Sequence, residues 1–189
     1  MDQACEFIDA TSFENLAQES KSKTLAHSFY YTAYGLDIES VLQCPELLSG
    51  GEKPDVYIRY GHVPAALDNP KTQGVLYQAK PNRFLLKLDG IARYLVSDGT
   101  EIVIDRAAGS RDDEVRMFLL GAAMGVLLLQ RRLLPLHGSA IETPAGAVIF
   151  VGPSGIGKSA LAGAFYKRGY RVLADEVSAI AFDEQRMPV

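Results

Sequence analysis

Apolar and polar positions change rhythm three times along this chain. Near the start, Ser28-Phe29-Tyr30-Tyr31-Thr32-Ala33-Tyr34 is aromatic and β-branched, and Asp55-Val56-Tyr57-Ile58-Arg59-Tyr60 alternates; both predict strands. From 74 to 105 the turn signals Pro81-Asn82, Asp89-Gly90 and Asp98-Gly99 recur about nine residues apart, with extended runs at 75–79, 84–88, 91–96 and 101–104. Asp-Gly supplies the positive φ that two-residue hairpins require, so a four-stranded antiparallel meander is predicted. Ala107-Ala108-Gly109-Ser110 breaks that pattern, and 117–129 then runs without a charge between Arg116 and Arg131-Arg132. Asp112-Asp113-Glu114 at its start and Gln130-Arg131-Arg132 at its end suit the two poles of a helix, which must stop before Leu134-Pro135. A bilayer span needs about 20 apolar residues, so the run predicts a core helix, buried nearly all round, with Gly121 and Gly125 letting a neighbour approach closely.

Beyond the helix, 136–142 and the apolar run 147–151 flank Thr143-Pro144-Ala145-Gly146, which predicts an antiparallel hairpin. Gly152-Pro153-Ser154-Gly155-Ile156-Gly157-Lys158-Ser159 follows, then a helical stretch to Arg168, then the strand Tyr170-Arg171-Val172-Leu173-Ala174 ending in Asp175-Glu176, with 177–182 continuing extended. Strand, glycine-rich loop and helix are the context of a phosphate-binding loop. Its glycines let successive N–H groups turn toward phosphate oxygens, Lys158 adds a point charge, the Ser159 hydroxyl is a Mg²⁺ ligand, and the helix presents its positive end. Gly152 to Ser159 together with Ala160 are therefore the expected nucleotide contacts, with a nucleoside triphosphate and Mg²⁺ as ligands. An antiparallel hairpin ahead of the loop departs from the parallel βαβ arrangement of a Rossmann-like domain.

Asp175 and Glu176 follow Lys158 by seventeen and eighteen positions, enough for one helix and a short strand to return them to the same sheet edge. One carboxylate then holds a metal and the other accepts a proton from an attacking hydroxyl. His137, extended beside the loop-bearing strand, is near enough to take part, although a lone histidine is more often a satisfied structural residue. Arg131, Arg132 and Arg168 are accounted for as helix-end cations.

Composition narrows the setting. The 189 residues are 48% hydrophobic and 22% charged, with a formal charge of −4, so there is no basic footprint for nucleic acid. Cys5 and Cys44 lie far apart without metal-ligand spacing, and Met1-Asp2-Gln3-Ala4-Cys5-Glu6 is unlike a signal peptide. A reducing, cytoplasmic location without a membrane span is expected. Residues 1–24 read as a polar tail, in which Thr11 and Glu14 have capping-box spacing. Residues 25–110 form a β-rich amino-terminal domain, and 111–189 comprise the helix and the first half of a phosphate-loop domain. The fold class expected is α/β (α+β).

His137-Gly138, the glycine loop, and Lys167-Arg168-Gly169-Tyr170-Arg171-Val172-Leu173-Ala174-Asp175-Glu176 resemble the catalytic half of bacterial HPr kinase/phosphorylase. Upstream, Tyr30-Tyr31-Thr32-Ala33-Tyr34-Gly35-Leu36, Cys44-Pro45-Glu46-Leu47, Val115-Arg116-Met117-Phe118-Leu119-Leu120-Gly121 and Gln130-Arg131-Arg132-Leu133-Leu134-Pro135-Leu136-His137 are similar to a branch found in bacterial gene clusters, including those for lasso peptides. The resemblance implies a nucleotide core of the HPr kinase/phosphoenolpyruvate carboxykinase type and a kinase that uses ATP and Mg²⁺ to phosphorylate a serine of a protein or peptide, such as the carboxy-terminal serine of a lasso precursor. On that pattern Asp175 deprotonates the serine, Ser159, Glu176 and Asp175 serve the metal, and His137 and Lys158 assist. Glu176 stands where the family has a second aspartate. Members of that group continue for roughly another hundred residues, about what completing such a domain would take. A truncated kinase domain is thus expected, and with it a homo-oligomer, a strand exchange, or pairing with the missing carboxy-terminal half. A small-molecule kinase, a nucleotide sensor and a non-catalytic nucleotide-binding module remain the alternatives.

Overall fold

A computed structural model of the chain describes residues 28–51, 53–185 and 188. The predicted tail and its Thr11–Glu14 spacing lie outside the described residues. Among the described residues, nine strands precede the first helix: β1 (Phe29–Ala33), β2 (Leu36–Ser40), β3 (Leu48–Ser49), β4 (Val56–Tyr60), β5 (Thr72–Gln73), β6 (Tyr77–Lys80), β7 (Arg83–Leu88), β8 (Ala92–Ser97) and β9 (Glu101–Arg106). They form one sheet in the order β3-β1-β2-β4-β9-β8-β7-β6-β5. The predicted meander is β6 to β9, antiparallel throughout. Its sheet is mixed, because β4 runs parallel to both β2 and β9.

Two local expectations change. The strand predicted from 75 begins only at Tyr77, and Val75 is 96% exposed. At both Asp-Gly turns three residues separate the paired positions Leu88↔Ala92 and Ser97↔Glu101. Ile91 donates to the Leu88 carbonyl and Thr100 to the Ser97 carbonyl, so each tight turn carries one extra residue before the ladder resumes.

The predicted helix is a single rod in three parts: α1 (Asp112–Phe118), a π-helical stretch Leu119–Ala123, and α2 (Met124–Gln130). Val115, Leu119, Ala123, Met124, Leu127 and Leu128 are fully buried and join Ile38, Ile58, Tyr94, Ile102 and Ile104 in one core. The wider π turn carries the buried stripe from Leu119 to Met124 without rotating Leu127 and Leu128 off the sheet. Burial all round does not occur, since the sheet covers only one side: Met117 and Leu129 are 57% and 55% exposed. Nor do the glycines admit a neighbour, because a Cβ at Gly121 or Gly125 would meet nothing within 4 Å.

Both helix ends are tied down. Arg111 N–H donates to Glu114 Oε2 at 3.1 Å over the first turn. Arg132 adopts φ 64 and Leu133 N–H returns to the Leu128 carbonyl at 2.9 Å, the closure usually made with glycine. Gln130 accepts from Gly99 N–H and Arg131 donates to the Gly99 carbonyl, so this end is pinned to the β8–β9 turn.

The second sheet has β10 (Leu134–Thr143) at its centre, with β11 (Gly146–Val151), β12 (Val172–Ala174) and β13 (Val177–Ile180), and α3 (Lys158–Tyr166) beside it. The predicted hairpin is β10 with β11, in register from Gly138↔Val151 to Thr143↔Gly146. On the other edge of β10, β13 pairs with 134–137 and β12 with 140–141. Gly138 N–H donates to the Glu176 carbonyl, so alternate residues face β13 and the nitrogen of Pro135 points away from that ladder, where its missing hydrogen costs nothing. Val177 and Ala179 pack onto the main core, which joins the two sheets. No helix among the described residues is long and apolar enough to cross a membrane.

Candidate functional site

The glycine-rich loop 152–157 joins β11 to α3, in the predicted order. Gly155 and Gly157 have φ of +80° and +99°, and Gly157 caps α3. A Cβ at either would meet no atom within 4 Å, so the space beside the loop is open to a ligand. Lys158 is only 8% exposed; its Nζ donates to the carbonyls of Gly152 at 3.0 Å and Pro153 at 3.1 Å. An ammonium has three hydrogens, so one remains for an anion held by the loop. Phe150 of β11 stacks on Phe165 of α3 at 5.6 Å, and Tyr170 meets Phe165 edge-on at 5.2 Å, which fixes the helix behind the loop. Arg168 donates to the Ala164 carbonyl in the last turn, in keeping with its reading as a helix-end cation.

Asp175 comes back to the loop. Its Oδ1 accepts the Ser159 hydroxyl at 2.9 Å and the Ser139 hydroxyl at 2.5 Å. Ser159 and Asp175 are thereby joined, while the Lys158 ammonium bonds to the loop carbonyls. Ser139 is a residue that sequence reasoning missed: it is fully buried on β10, and only its place next to His137-Gly138 could have marked it. Glu176 adopts φ +76°, and its carbonyl accepts Gly138 N–H at 3.1 Å and lies 3.0 Å from His137 Nδ1. A carbonyl only accepts, so Nδ1 carries a hydrogen in this contact. His137 therefore meets the backbone of Glu176, and no hydrogen bond joins it to Asp175. Gly138 is needed where it stands, since a Cβ there would lie 2.6 Å from the Phe150 carbonyl oxygen.

Tyr34, from the β1–β2 turn, is a second residue the sequence gave no reason to choose. Burial, and then the Glu176 carboxylate, push its phenol above the ordinary value. Tyr34, Leu47, Leu133, Ile149, Asp175 and Glu176 share a groove of about 840 Å³ between the two sheets, largely apolar, with the carboxylates on its wall. Arg131 and His62 have partners of their own elsewhere. Arg131 lies 4.0 Å from Asp55 and His62 lies 3.6 Å from Asp105.

The donor set decides which metal fits. No three His, Cys, Asp or Glu side chains among the described residues are grouped to cage an ion. A hydroxyl and a carboxylate oxygen side by side at Ser159 and Asp175 are hard donors. They suit Mg²⁺, which is commonly held by one or two protein oxygens together with phosphate and water. No family model, curated protein or solved structure matches this chain.

Proposed function

We propose that this chain is an ATP- and Mg²⁺-dependent kinase that phosphorylates a serine hydroxyl of a protein or peptide, with its second sheet serving as a phosphate-loop nucleotide core of the HPr kinase/phosphoenolpyruvate carboxykinase type. The observation that carries this reading is the 2.9 Å contact between Ser159, at the mouth of the glycine loop, and Asp175, on the neighbouring strand end. In phosphoryl transfer the protein's work is positioning and charge stabilisation, which needs a phosphate cradle, a cation and a carboxylate within one hydrogen bond of each other. The N–H groups of 152–157 hold phosphate oxygens, and Lys158 adds its remaining hydrogen to them. Ser159 and Asp175 would hold the cation, which when bound would offset the negative charge of the phosphates.

As the acceptor hydroxyl attacks the γ-phosphorus, its O–P bond forms, the β–γ bridging P–O bond breaks and ADP leaves. Asp175 takes the hydroxyl proton through Oδ2, since Oδ1 is engaged with Ser139 and Ser159. Glu176 lines the same groove as Asp175. The apolar groove beside both carboxylates is a wall along which an extended peptide fits. Incubation of the chain with γ-labelled ATP, Mg²⁺ and serine-containing peptides should give label on a serine hydroxyl. A folded chain that neither binds ATP nor transfers label overturns the reading.

A further inference from the structure

Asp175 is exposed and sits at the end of a three-residue strand, so nothing in its own backbone holds its carboxylate in one rotamer. Ser139 does. Its hydroxyl is fully buried, belongs to the central strand β10, and donates to Asp175 Oδ1 at 2.5 Å. The neighbours of Ser139 are fixed as well: Gly138 is in close contact with the Phe150 carbonyl, and Ala140 pairs with Ala174. Ser159 donates to the same Oδ1. Once its hydrogen points at Asp175, the lone pairs of Ser159 are turned away from the carboxylate, toward the open side of the loop.

We propose that Ser139 is a positioning residue for cation binding at this loop: it fixes Asp175, and through Asp175 it fixes the direction in which Ser159 presents its lone pairs. The inference rests on the reading of the loop as a Mg²⁺–nucleotide site. It assigns Ser139 no contact with substrate. The role is relayed by two hydrogen bonds that share one acceptor oxygen.

The test is the factor by which Mg²⁺ tightens ATP binding, measured by calorimetry with and without Mg²⁺ on the full chain. Ser139→Ala should lower that factor about tenfold, the size expected for one hydrogen bond to a charged group. It should leave the affinity for ATP alone within about twofold, because no phosphate contact is touched. Ser139→Thr, which keeps the hydroxyl, should restore the factor. In an Asp175→Ala background, which removes the shared acceptor, Ser139→Ala should change it no further, since the relay is already broken. Unfolding curves on each variant establish that the comparison is between folded proteins. A wild-type Mg²⁺ factor in Ser139→Ala, or equal losses in the presence and absence of Asp175, overturns this inference and leaves the nucleotide site standing. A wild-type chain with no ATP affinity overturns both.

Discussion

Replacing Lys158 by methionine removes the ammonium and keeps a stem of similar length in its buried slot. The ammonium donates to two loop carbonyls, Gly152 and Pro153, and the latter residue is exposed. Water can take over at these carbonyls, so the variant should lose only about 1 kcal/mol of stability, the net value of an ordinary hydrogen bond. Binding should suffer more. The third hydrogen of Lys158 makes a hydrogen bond between two charged groups, worth about 1.5–3 kcal/mol, and that corresponds to a loss of roughly tenfold to 150-fold in ATP affinity. Calorimetric titration with Mg²⁺–ATP gives the second number and urea unfolding gives the first. A folded Lys158→Met protein with unchanged ATP affinity refutes the phosphate-loop assignment. A stability loss above about 3 kcal/mol with intact affinity would instead make Lys158 a strut of the loop.

Asp175→Asn should keep the affinity for ATP measured without Mg²⁺ within a few-fold and lower transfer to serine by about 10²–10⁴, read by label incorporation; wild-type turnover would move the base to Glu176 or His137. Gly138→Ala pushes a Cβ to 2.6 Å from the Phe150 carbonyl oxygen and should cost about 1–3 kcal/mol in urea unfolding, whereas an unchanged midpoint would mean that β10 and β11 slide apart freely. The Cys44 thiol is pushed from 9.0 up to about 11, first by burial and then by Glu46, and burial also raises Tyr94. Both groups hold their proton more tightly when folded, so this part of the stability is intact below pH 9 and is lost as pH climbs toward 11 and beyond; a Cys44→Ala chain should show a flatter decline over pH 9–11. The outer edge of β11 carries no charge, no described strand pairs with it, and Val148 and Val151 are 41% and 61% exposed, so the chain should associate and Val151→Lys should shift it toward monomer in light scattering; a monodisperse wild-type monomer refutes this.

What was legible in the sequence follows from how local the physics is. Asp89-Gly90 and Asp98-Gly99 announce their hairpins because a positive φ is a property of one or two residues, and the meander formed around them. The hairpin before the glycine loop was equally readable. β2 was not foreseen, although Leu36, Ile38 and Ser40 alternate inward with Asp37 and Glu39, because the Tyr34-Gly35 turn hides inside an aromatic run. Parallel pairing of β4 with β2 and β9 joins residues far apart in sequence and leaves no local mark. The exposed flank of the long helix was hidden for a related reason: an uncharged run shows that burial is available but not which side the sheet will cover. Within the candidate site, motif spacing placed Lys158, Ser159 and Asp175. The partnership of Ser139 with Asp175 depends on the register of β10 against β12, which no motif encodes.

That register explains why the carboxylates stand where they do. Val172 pairs with Ile141 and Ala174 with Ala140, so Leu173 is an extra residue that bends the strand just ahead of Asp175. On the far side, Val177 pairs with His137 and packs into the main core. Asp175 and Glu176 are the short span between a bulge and an anchored strand, and the mismatch falls on Glu176 as a left-handed backbone, a conformation that costs a non-glycine residue about 1 kcal/mol or more. Two donors from β10, the Gly138 N–H and the His137 ring, converge on the carbonyl of that residue and offset the cost. The histidine and glycine of β10 therefore act first on the backbone of Glu176. By holding it in this turn they keep Asp175 aimed at the loop, while Ser139 holds the carboxylate itself.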